Sequence, residues 1–285
     1  MKLASFAVSG RSSWGVVADD GVIDMGRRLA GRFPSLRAAL GEEALGEISA
    51  LARQTKPDHL LSAVTLLPPV PEPEKIICLG NNYRAHVLEA GGRIPEHPQI
   101  FIRLANTLVG HEGDLVVPRI SSELDYEVEL AIVIGRAGRH VPVARALDHV
   151  AGYTCFHDAS VRDIQSQHSL AAGKNCFATG PCGPWIVTRD EIPEPGRLQV
   201  KTRLNGRELQ NGNTSDLIFD VPTVTAYVST ITPLAPGDII ATGTPQGVGF
   251  TRKPPIWMKP GDVVEVEVEK IGVLRNRVVA ERDAR

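Results

Sequence analysis

Three acidic residues alternate along one stretch that has the pattern of a β-strand. Leu124 to Gly135 is rich in apolar and β-branched residues and ends at a glycine, which predicts a strand. Because strand side chains alternate, we expect Asp125, Glu127 and Glu129 on one face. Carboxylates about 7 Å apart repel each other by roughly 2–3 kcal/mol at an effective dielectric constant of about 20. A divalent cation would turn this repulsion into binding, and hard oxygen ligands suit Mg²⁺, Mn²⁺ or Ca²⁺.

An acidic strand face that only meets solvent produces the same alternation. Val264 to Glu269 alternates in this way, and we interpret it as a solvated strand face. The pattern alone therefore leaves both interpretations open. A metal site would need a third oxygen ligand, and a catalytic site would also need a general base nearby.

A candidate general base lies in the segment Tyr83 to Glu89, which is predicted to be a short helix. His86 and Glu89 are three positions apart, so they share a helix face and can hydrogen-bond. A carboxylate that holds one imidazole nitrogen leaves the other free as a general base near neutral pH. The alternative is an ordinary exposed ion pair. The pair Gly91-Gly92 would end the helix and could act as a hinge.

A third oxygen ligand is offered by Asp158, which follows a predicted strand from Gly152 to His157. We expect Asp158 to cap a helix from 159 to 168. Arg162 and Gln165 follow at offsets of four and three, so they would face the same way and could bind a carboxylate or carbonyl group. A zinc site is not predicted, because the two histidines of this segment have no cysteine and no further histidine at a spacing that zinc ligands use.

A glycine-rich turn follows the predicted strand that starts at Ile239. Its backbone amides and Thr244 are predicted to form an anion-binding nest. It lacks the G-x-G-x-x-G pattern, so a dinucleotide site is not predicted. Lys174 lies in the sequence Gly-Lys-Asn-Cys. Most lysines are solvated surface charges, and only its sequence neighbours set Lys174 apart from them.

Composition limits the classes of function. The chain has 285 residues and a formal net charge of −2, which gives no support for nucleic acid or an anionic membrane as a partner. We see no apolar run of about 20 residues and no signal-peptide pattern. The four cysteines include no C-x-x-C pair, which favours a reduced cytoplasm.

A proline-rich segment divides the chain. Four prolines fall between positions 68 and 73 and favour an extended, semi-rigid connector. We therefore predict a small N-terminal domain at 1–70 and a catalytic domain at 74–285. Every candidate catalytic residue lies in the second.

Taken in order, these motifs resemble the fumarylacetoacetate hydrolase family over roughly residues 75 to 279. The matching motifs are Gly80-Asn81-Asn82-Tyr83 with His86 and Glu89, Asp125-Tyr126-Glu127-Val128-Glu129-Leu130, His157-Asp158 through Gln165, Gly173-Lys174, Gly183-Pro184-Trp185 and Thr242 to Gly249. The resemblance implies an α+β fold, a mixed β-sandwich roll of the fumarylacetoacetate hydrolase C-terminal type, with a small N-terminal α+β domain. It also implies a homodimer.

The resemblance further implies roles for individual residues. Glu127, Glu129 and Asp158 would be metal ligands for Mg²⁺ or Mn²⁺, with Ca²⁺ as a further candidate. The catalytic residues would be His86 and Glu89, a dyad on a lid, and Lys174. The substrate-binding residues would be Tyr83, Arg103, Arg162, Gln165 and Thr244. The family usually has Lys in place of Arg103 and Asn in place of His157, and these departures bear on the substrate.

The implied reaction uses a small-molecule 2-oxo acid and an enolate that the metal stabilises. The first candidate is hydrolysis of a C–C bond in an acylpyruvate, in the catabolism of aromatic compounds or sugar acids, with His86 taking a proton from water. Isomerisation or hydration of a 2-hydroxymuconate-type diacid and decarboxylation of oxaloacetate are the alternatives, since a fold does not choose between chemistries. The alternative from another class is a binding protein without turnover.

Overall fold

The computed structural model describes residues 1–282, and most of its regular structure is β-strand. The strands are β1 Lys2–Val8, β2 Arg11–Ala18, β3 Gly21–Asp24, β4 His59–Leu60, β5 Thr65–Leu66, β6 Ile76–Gly80, β7 Gln99–Arg103, β8 Leu108–Val109, β9 Asp114–Val117, β10 Leu124–Asp125, β11 Val128–Ile134, β12 Val150–His157, β13 Ser160–Val161, β14 Gly180–Thr188, β15 Gln199–Leu204, β16 Arg207–Asn213, β17 Ile239–Ala241, β18 Val263–Val268 and β19 Gly272–Ala280.

Helices are short and lie between the strands. The α-helices are α1 Met25–Arg28, α2 Leu36–Gly41, α3 Leu45–Ala52, α4 Arg84–Glu89, α5 Arg162–Gln167, α6 Leu170–Lys174 and α7 Val221–Ile231. The 3₁₀ turns are Leu61–Ala63, Ala105–Thr107, Val143–His149, Arg189–Glu191, Pro195–Arg197 and Thr214–Asp216. Within residues 1–282, none of the helices has the length and apolar character needed to span a bilayer.

Two sheets make up the body of the fold. The larger runs in the order β4-β3-β2-β1-β14-β12-β11-β17-β6-β7, and the smaller in the order β16-β15-β18-β19-β9. A short two-stranded sheet pairs β10 with β13. The α+β fold class is thereby confirmed.

The main core lies between the two sheets. Val128, Leu130 and Ile132 of β11 are fully buried there, together with Val200 of β15 and Val266 of β18. All seven residues of β11 are buried, so both of its faces are covered, as the predicted apolar run requires. The functional groups at the start of β11 are thus attached to one of the most enclosed strands of the molecule.

The Asn205-Gly206 sequence, which favours a type I′ turn, closes a β-hairpin. β15 and β16 pair across this turn, and both turn residues have positive φ, 52° and 79°, as a type I′ turn requires. β15 also pairs with β18, which joins the hairpin to the smaller sheet. This hairpin carries Gln210 into the interior.

The N-terminal segment shares a sheet with the rest of the chain. β1 pairs with β14 through Lys2↔Val187 and Leu3↔Ile186. Leu3 also lies in one core cluster with Val133 of β11 and Ile186 of β14. Residues 1–70 therefore pack directly against the strands that carry the site.

Candidate active site

Three carboxylates meet at one end of β11 and β12. Glu127, Glu129 and Asp158 are buried, and one oxygen from each lies within 4.8 Å of the others. Antiparallel pairing of Val128 with His157 brings these segments together, and the Asp158 amide then donates to the Glu127 carbonyl oxygen at 3.0 Å. Residues far apart in sequence thus reach one point because the register of β11 and β12 aligns them.

The single strand predicted from Leu124 to Gly135 is wrong in one respect. It is interrupted at Tyr126 and Glu127, so that β10 pairs with β13 while β11 pairs with β12. The change of partner strand at this break places Glu127 where its side chain can meet Asp158. The break depends on pairing with strands that are distant in the sequence, so the local pattern of residues does not predict it.

The predicted helix cap at Asp158 is also wrong. Helix α5 begins at Arg162, and its preceding residue, Val161, makes no capping side-chain bond. The Asp158 carboxylate instead accepts from the Arg103 guanidinium at 2.6 Å and from the Lys174 ammonium. Ser160 and Val161 form β13 in the intervening stretch. Asp158 is thereby free to face the other carboxylates.

Lys174 is fully enclosed and holds two of the carboxylates. Its Nζ donates to Glu127 Oε2 at 2.7 Å, to the Asp158 carbonyl oxygen at 2.9 Å, and to the Asp158 carboxylate. An ammonium group has three donors, and all three are engaged. Burial lowers the pKa of Lys174, but Asp158 and Glu127 outweigh it and the pKa is raised. Lys174 is therefore a charged group arranged to hold Glu127 and Asp158.

The surroundings of the carboxylates shift their pKa values in opposite directions. Burial raises the pKa of Glu127, but Lys174 and Arg162 more than offset this and the pKa is lowered. Burial and the nearby Asp158 carboxylate raise the pKa of Glu129 well above its ordinary value. Metal ligands must be deprotonated, so a bound cation would have to compete with a proton at Glu129.

The donor set fits a hard divalent cation. Carboxylate oxygens are the ligands that Mg²⁺ and Mn²⁺ prefer, at metal–oxygen distances near 2 Å, so ligands on one ion lie about 3–4 Å apart. The three oxygens lie within 4.8 Å of one another, so small side-chain movements would bring them onto one ion. Glu129 is further oriented by a bond from the Gly243 amide at 2.8 Å.

The glycine-rich turn presents its amides to the protein's own carboxylates. The Gly247 amide donates to Glu89 at 2.9 and 3.1 Å, and the Gly249 amide donates to Asp125 at 2.6 Å. The predicted anion nest therefore exists, and among residues 1–282 its anions are glutamate and aspartate side chains. Sequence reasoning did not assign a role to Asp125, which also accepts from Arg162 Nε at 2.8 Å.

Helix α4 carries His86 and Glu89 on one face, as predicted, but they do not form a hydrogen bond. His86 Nδ1 lies 3.8 Å from Glu89 Oε2, and within residues 1–282 this buried nitrogen has no hydrogen-bond partner. Glu89 bonds the Gly247 amide instead, which fastens α4 to the glycine-rich turn. Burial lowers the pKa of His86, so its imidazole is neutral near pH 7.

A cavity of about 150 Å³ brings most of the predicted residues together. Its lining includes His86, Glu127, Glu129, Asp158, Arg162, Gln165, Lys174 and Thr244. The described residues that line it do not include Tyr83, Arg103 or Glu89. Tyr83 is fully buried in the main core and is not among the described lining residues. Arg103 lies behind Asp158 and reaches Thr179 Oγ1 at 2.8 Å.

A larger groove of about 900 Å³ lies elsewhere, between the N-terminal segment and Trp185. Its walls are mainly apolar, with Leu61, Leu66 and Val273 among them. The buried carboxylates open instead into the smaller cavity. Convergent charged groups, rather than volume, therefore identify the candidate active site.

His157, one of the departures from the family pattern, is a buried neutral residue. Its two ring nitrogens have no hydrogen-bond partner within residues 1–282. Burial and the nearby Arg103 lower its pKa to about 3. It therefore adds no charge to the cluster.

Comparisons with known proteins agree with this geometry. Residues 75–279 match the family profile described as Fumarylacetoacetate (FAA) hydrolase C-terminal. Human oxaloacetate tautomerase FAHD2A, a mitochondrial protein, is 43% identical over 221 residues, which cover 76% of this chain and 70% of that protein.

Solved structures extend the likeness to 99% of this chain. The crystal structure of maleylpyruvate hydrolase from Sphingobium sp. SYK-6, in complex with manganese(II) and pyruvate, is 32% identical with a TM-score of 0.83 and covers 99% of this chain and 100% of its own. The 5-carboxymethyl-2-hydroxymuconate delta-isomerase of Mycobacterium smegmatis is 33% identical with a TM-score of 0.78 and the same coverage, 99% and 100%. The chain therefore belongs to the fumarylacetoacetate hydrolase family.

Proposed function

We propose that this protein is a metal-dependent enzyme that interconverts the keto and enol forms of a small 2-oxo diacid of the oxaloacetate class. The observation that carries the proposal is the meeting of three buried carboxylates and a neutral histidine in one small cavity. The cavity, about 150 Å³, is smaller than the 300–1,000 Å³ of sites for drug-sized ligands, which favours a substrate of few atoms. The 43% identity to an oxaloacetate tautomerase supports the same class.

Glu127, Glu129 and Asp158 would hold the cation, Mg²⁺ or Mn²⁺. When bound, it supplies Lewis-acid polarisation of the 2-oxo group. The manganese ion in the solved maleylpyruvate hydrolase supports this choice of metal. Arg103 and Lys174 hold the Asp158 carboxylate from two directions, so its orientation is fixed before any ligand binds.

His86 is the group suited to move the proton. It lines the cavity and is neutral near pH 7, so a ring nitrogen can take a proton from the carbon next to the 2-oxo group and return it there. In keto–enol exchange, one proton leaves the carbon as another joins the oxygen, and the reverse reaction undoes both steps. No C–C bond is broken. Lys174 would have to break an existing bond to donate, which makes it the weaker candidate.

The carboxylate of the substrate would meet Arg162, Gln165 and Thr244. Arg162 donates to Gln165 Oε1 at 3.1 Å, which leaves the Gln165 amide nitrogen as the group that faces a ligand. Thr244 lines the same cavity. Together these groups supply donors for an anion beside the cluster of carboxylates.

Hydrolysis of an acylpyruvate is the second candidate. The likeness to maleylpyruvate hydrolase over 99% of the chain favours it. In this reaction His86 would take a proton from water, and the water oxygen would attack the distal carbonyl carbon. The C–C bond then breaks, and the carbon released as pyruvate is protonated.

Two assays on the purified protein separate these reactions. With Mg²⁺ or Mn²⁺ present, we expect faster loss of enol absorbance from oxaloacetate and no release of pyruvate from acylpyruvates. Release of pyruvate without tautomerisation would reverse the assignment. No turnover of either class would favour the binding protein without catalysis.

Glu127→Gln tests the metal site in the same assays. We expect loss of Mn²⁺ binding by calorimetry and loss of turnover, because a neutral amide replaces a ligand charge. Glu265→Gln, on the alternating acidic strand β18, is the matched control and should change neither. Full activity in a preparation shown to be metal-free would refute the site.

The homodimer and the cytoplasmic location remain predictions. Size-exclusion chromatography with light scattering tests the first, and cell fractionation the second.

A further inference from the structure

Gln210 links both ends of the candidate active site through one buried side chain. It lies on β16 and is fully buried. Its Oε1 accepts from the Val128 amide at 3.0 Å and from Thr202 Oγ1 at 2.7 Å. Its Nε2 donates to Thr244 Oγ1 and to the Pro245 carbonyl oxygen, both at 2.9 Å. The four principal hydrogen-bonding positions of the amide are all used.

The orientation of this amide is fixed by its backbone partners. The Val128 N–H is a donor only, and the Pro245 carbonyl oxygen is an acceptor only. Rotating the amide by 180° would place a donor against a donor and an oxygen against an oxygen. The amide nitrogen must therefore face Thr244.

This orientation decides what Thr244 can offer. A hydroxyl group has one donor and two lone pairs, and the lone pair facing Gln210 is engaged. Within residues 1–282, no acceptor binds the Thr244 hydroxyl proton. Thr244 lines the cavity beside the carboxylates, so its free O–H is available to a ligand oxygen there.

The side-chain amide of Gln210 also holds the start of β11. Val128 stands between Glu127 and Glu129, at the break between β10 and β11. The Val128 N–H donates to Gln210 Oε1, so this side chain holds the first residue of β11. Gln210 thus sets the distance between the hydroxyl of Thr244 and the two glutamates.

We propose that Gln210 is a positioning residue that makes Thr244 a committed hydrogen-bond donor to a carboxylate oxygen of the substrate. This rests on the proposed function, because it assumes that a 2-oxo acid occupies the cavity. Without the Gln210 donor, the Thr244 hydroxyl could turn toward the Pro245 carbonyl oxygen and be lost to the ligand. The preference for a ligand carboxylate at this end of the cavity would then weaken.

A double-mutant cycle tests this coupling, with pyruvate as the probe and calorimetry in the presence of Mn²⁺ as the measurement. We expect Thr244→Val to weaken pyruvate binding about 10–100-fold, as for loss of a hydrogen bond to a charged group. Gln210→Met should weaken it about 10-fold. The double variant should be no weaker than Thr244→Val alone, because both changes act through one hydroxyl.

A matched control separates positioning from general stability. Thr202→Val removes another buried bond to Gln210 and leaves the bond to Thr244. It should lower the melting temperature but change pyruvate affinity by less than about 2-fold. If Gln210→Met does not fold, Gln210→Glu keeps the acceptor for Val128 and, as a carboxylate, removes both amide donors.

The outcomes are distinct. Additive effects in the cycle, or an equal loss of affinity in Thr202→Val, would overturn the role of Gln210 while leaving the proposed function intact. Wild-type protein that binds Mn²⁺ but neither binds pyruvate nor turns over a 2-oxo acid would overturn the proposed function, and this inference with it.

Discussion

Lys174 shows how a single cation makes a buried cluster of carboxylates tolerable. It is 2% exposed and contacts both Glu127 and Asp158. Removing one member of a buried ion pair costs about 3–5 kcal/mol, since the remaining charge stays unpaired. A cation bound by the carboxylates could compensate for this loss.

Lys174→Met should therefore unfold at a lower temperature than the wild-type protein when no metal is present, and regain part of the difference in Mn²⁺. Thermal denaturation with and without Mn²⁺ measures both effects. Lys201→Met, which removes a surface pair with Glu208, is the control and should change little. Equal stabilisation of both variants by Mn²⁺ would argue against a link between Lys174 and the metal site.

His86 supplies the pH dependence expected of the reaction. Burial lowers its pKa below the ordinary value of about 6.5, and the base must be neutral to act. Activity should therefore fall as the pH drops through a midpoint below 6.5, where the imidazole becomes charged. The acidic limb of kcat/KM against pH reports this pKa in the free enzyme.

His86→Ala should lower kcat by about 10²–10⁴ and leave Mn²⁺ affinity nearly unchanged. Its residual activity should have lost the acidic limb. An acidic limb at the same midpoint in the variant would show that a group other than His86 is the base.

Local patterns predicted some elements of this site and missed others for physical reasons. The strands β11 and β12 follow from runs of apolar residues, and the turn at Asn205-Gly206 follows from residues that tolerate positive φ. The break before Val128 could not be predicted, because it depends on pairing with β13 and on Gln210 from another sheet. Spacing alone put Glu89 near His86, but the partner of Glu89 came from the distant turn at Gly247.

Helix α4 is attached to the glycine-rich turn by Glu89. If that attachment holds the helix closed, any acceptor at this position should preserve it. Glu89→Gln keeps an oxygen for the Gly247 amide, whereas Glu89→Ala does not. We expect about 10-fold faster hydrogen exchange in α4 for Glu89→Ala alone.

Glu96→Ala, at an exposed position after α4, is the control for this experiment. Lower activity in Glu89→Gln with unchanged exchange would return Glu89 to the predicted dyad with His86. In that case its charge, rather than its hydrogen bond to Gly247, would be what matters.

At the scale of the whole molecule, residues 1–70 extend the sheet that carries the site. The proline-rich connector predicted a boundary between two domains, and every candidate catalytic residue lies after it. The division stays a prediction, because β1 and β14 join the two parts in one sheet. No pattern within the first 70 residues identifies β14 as the partner of β1, since that pairing spans most of the chain.

The N-terminal segment should therefore matter for stability and not for the chemistry. Leu3 is fully buried against Ile186 and Val133, on the opposite side of β11 from the main core. Leu3→Ala should destabilise the protein by about 2–5 kcal/mol, as for other large-to-small changes in a core, and leave Mn²⁺ affinity and kcat unchanged. Chemical denaturation and calorimetry measure the two effects separately.

Deletion of residues 1–70 is the stronger test of the division. A folded remainder that binds Mn²⁺ normally would support two domains, whereas a folded remainder that cannot bind it would show that the first 70 residues help to build the site.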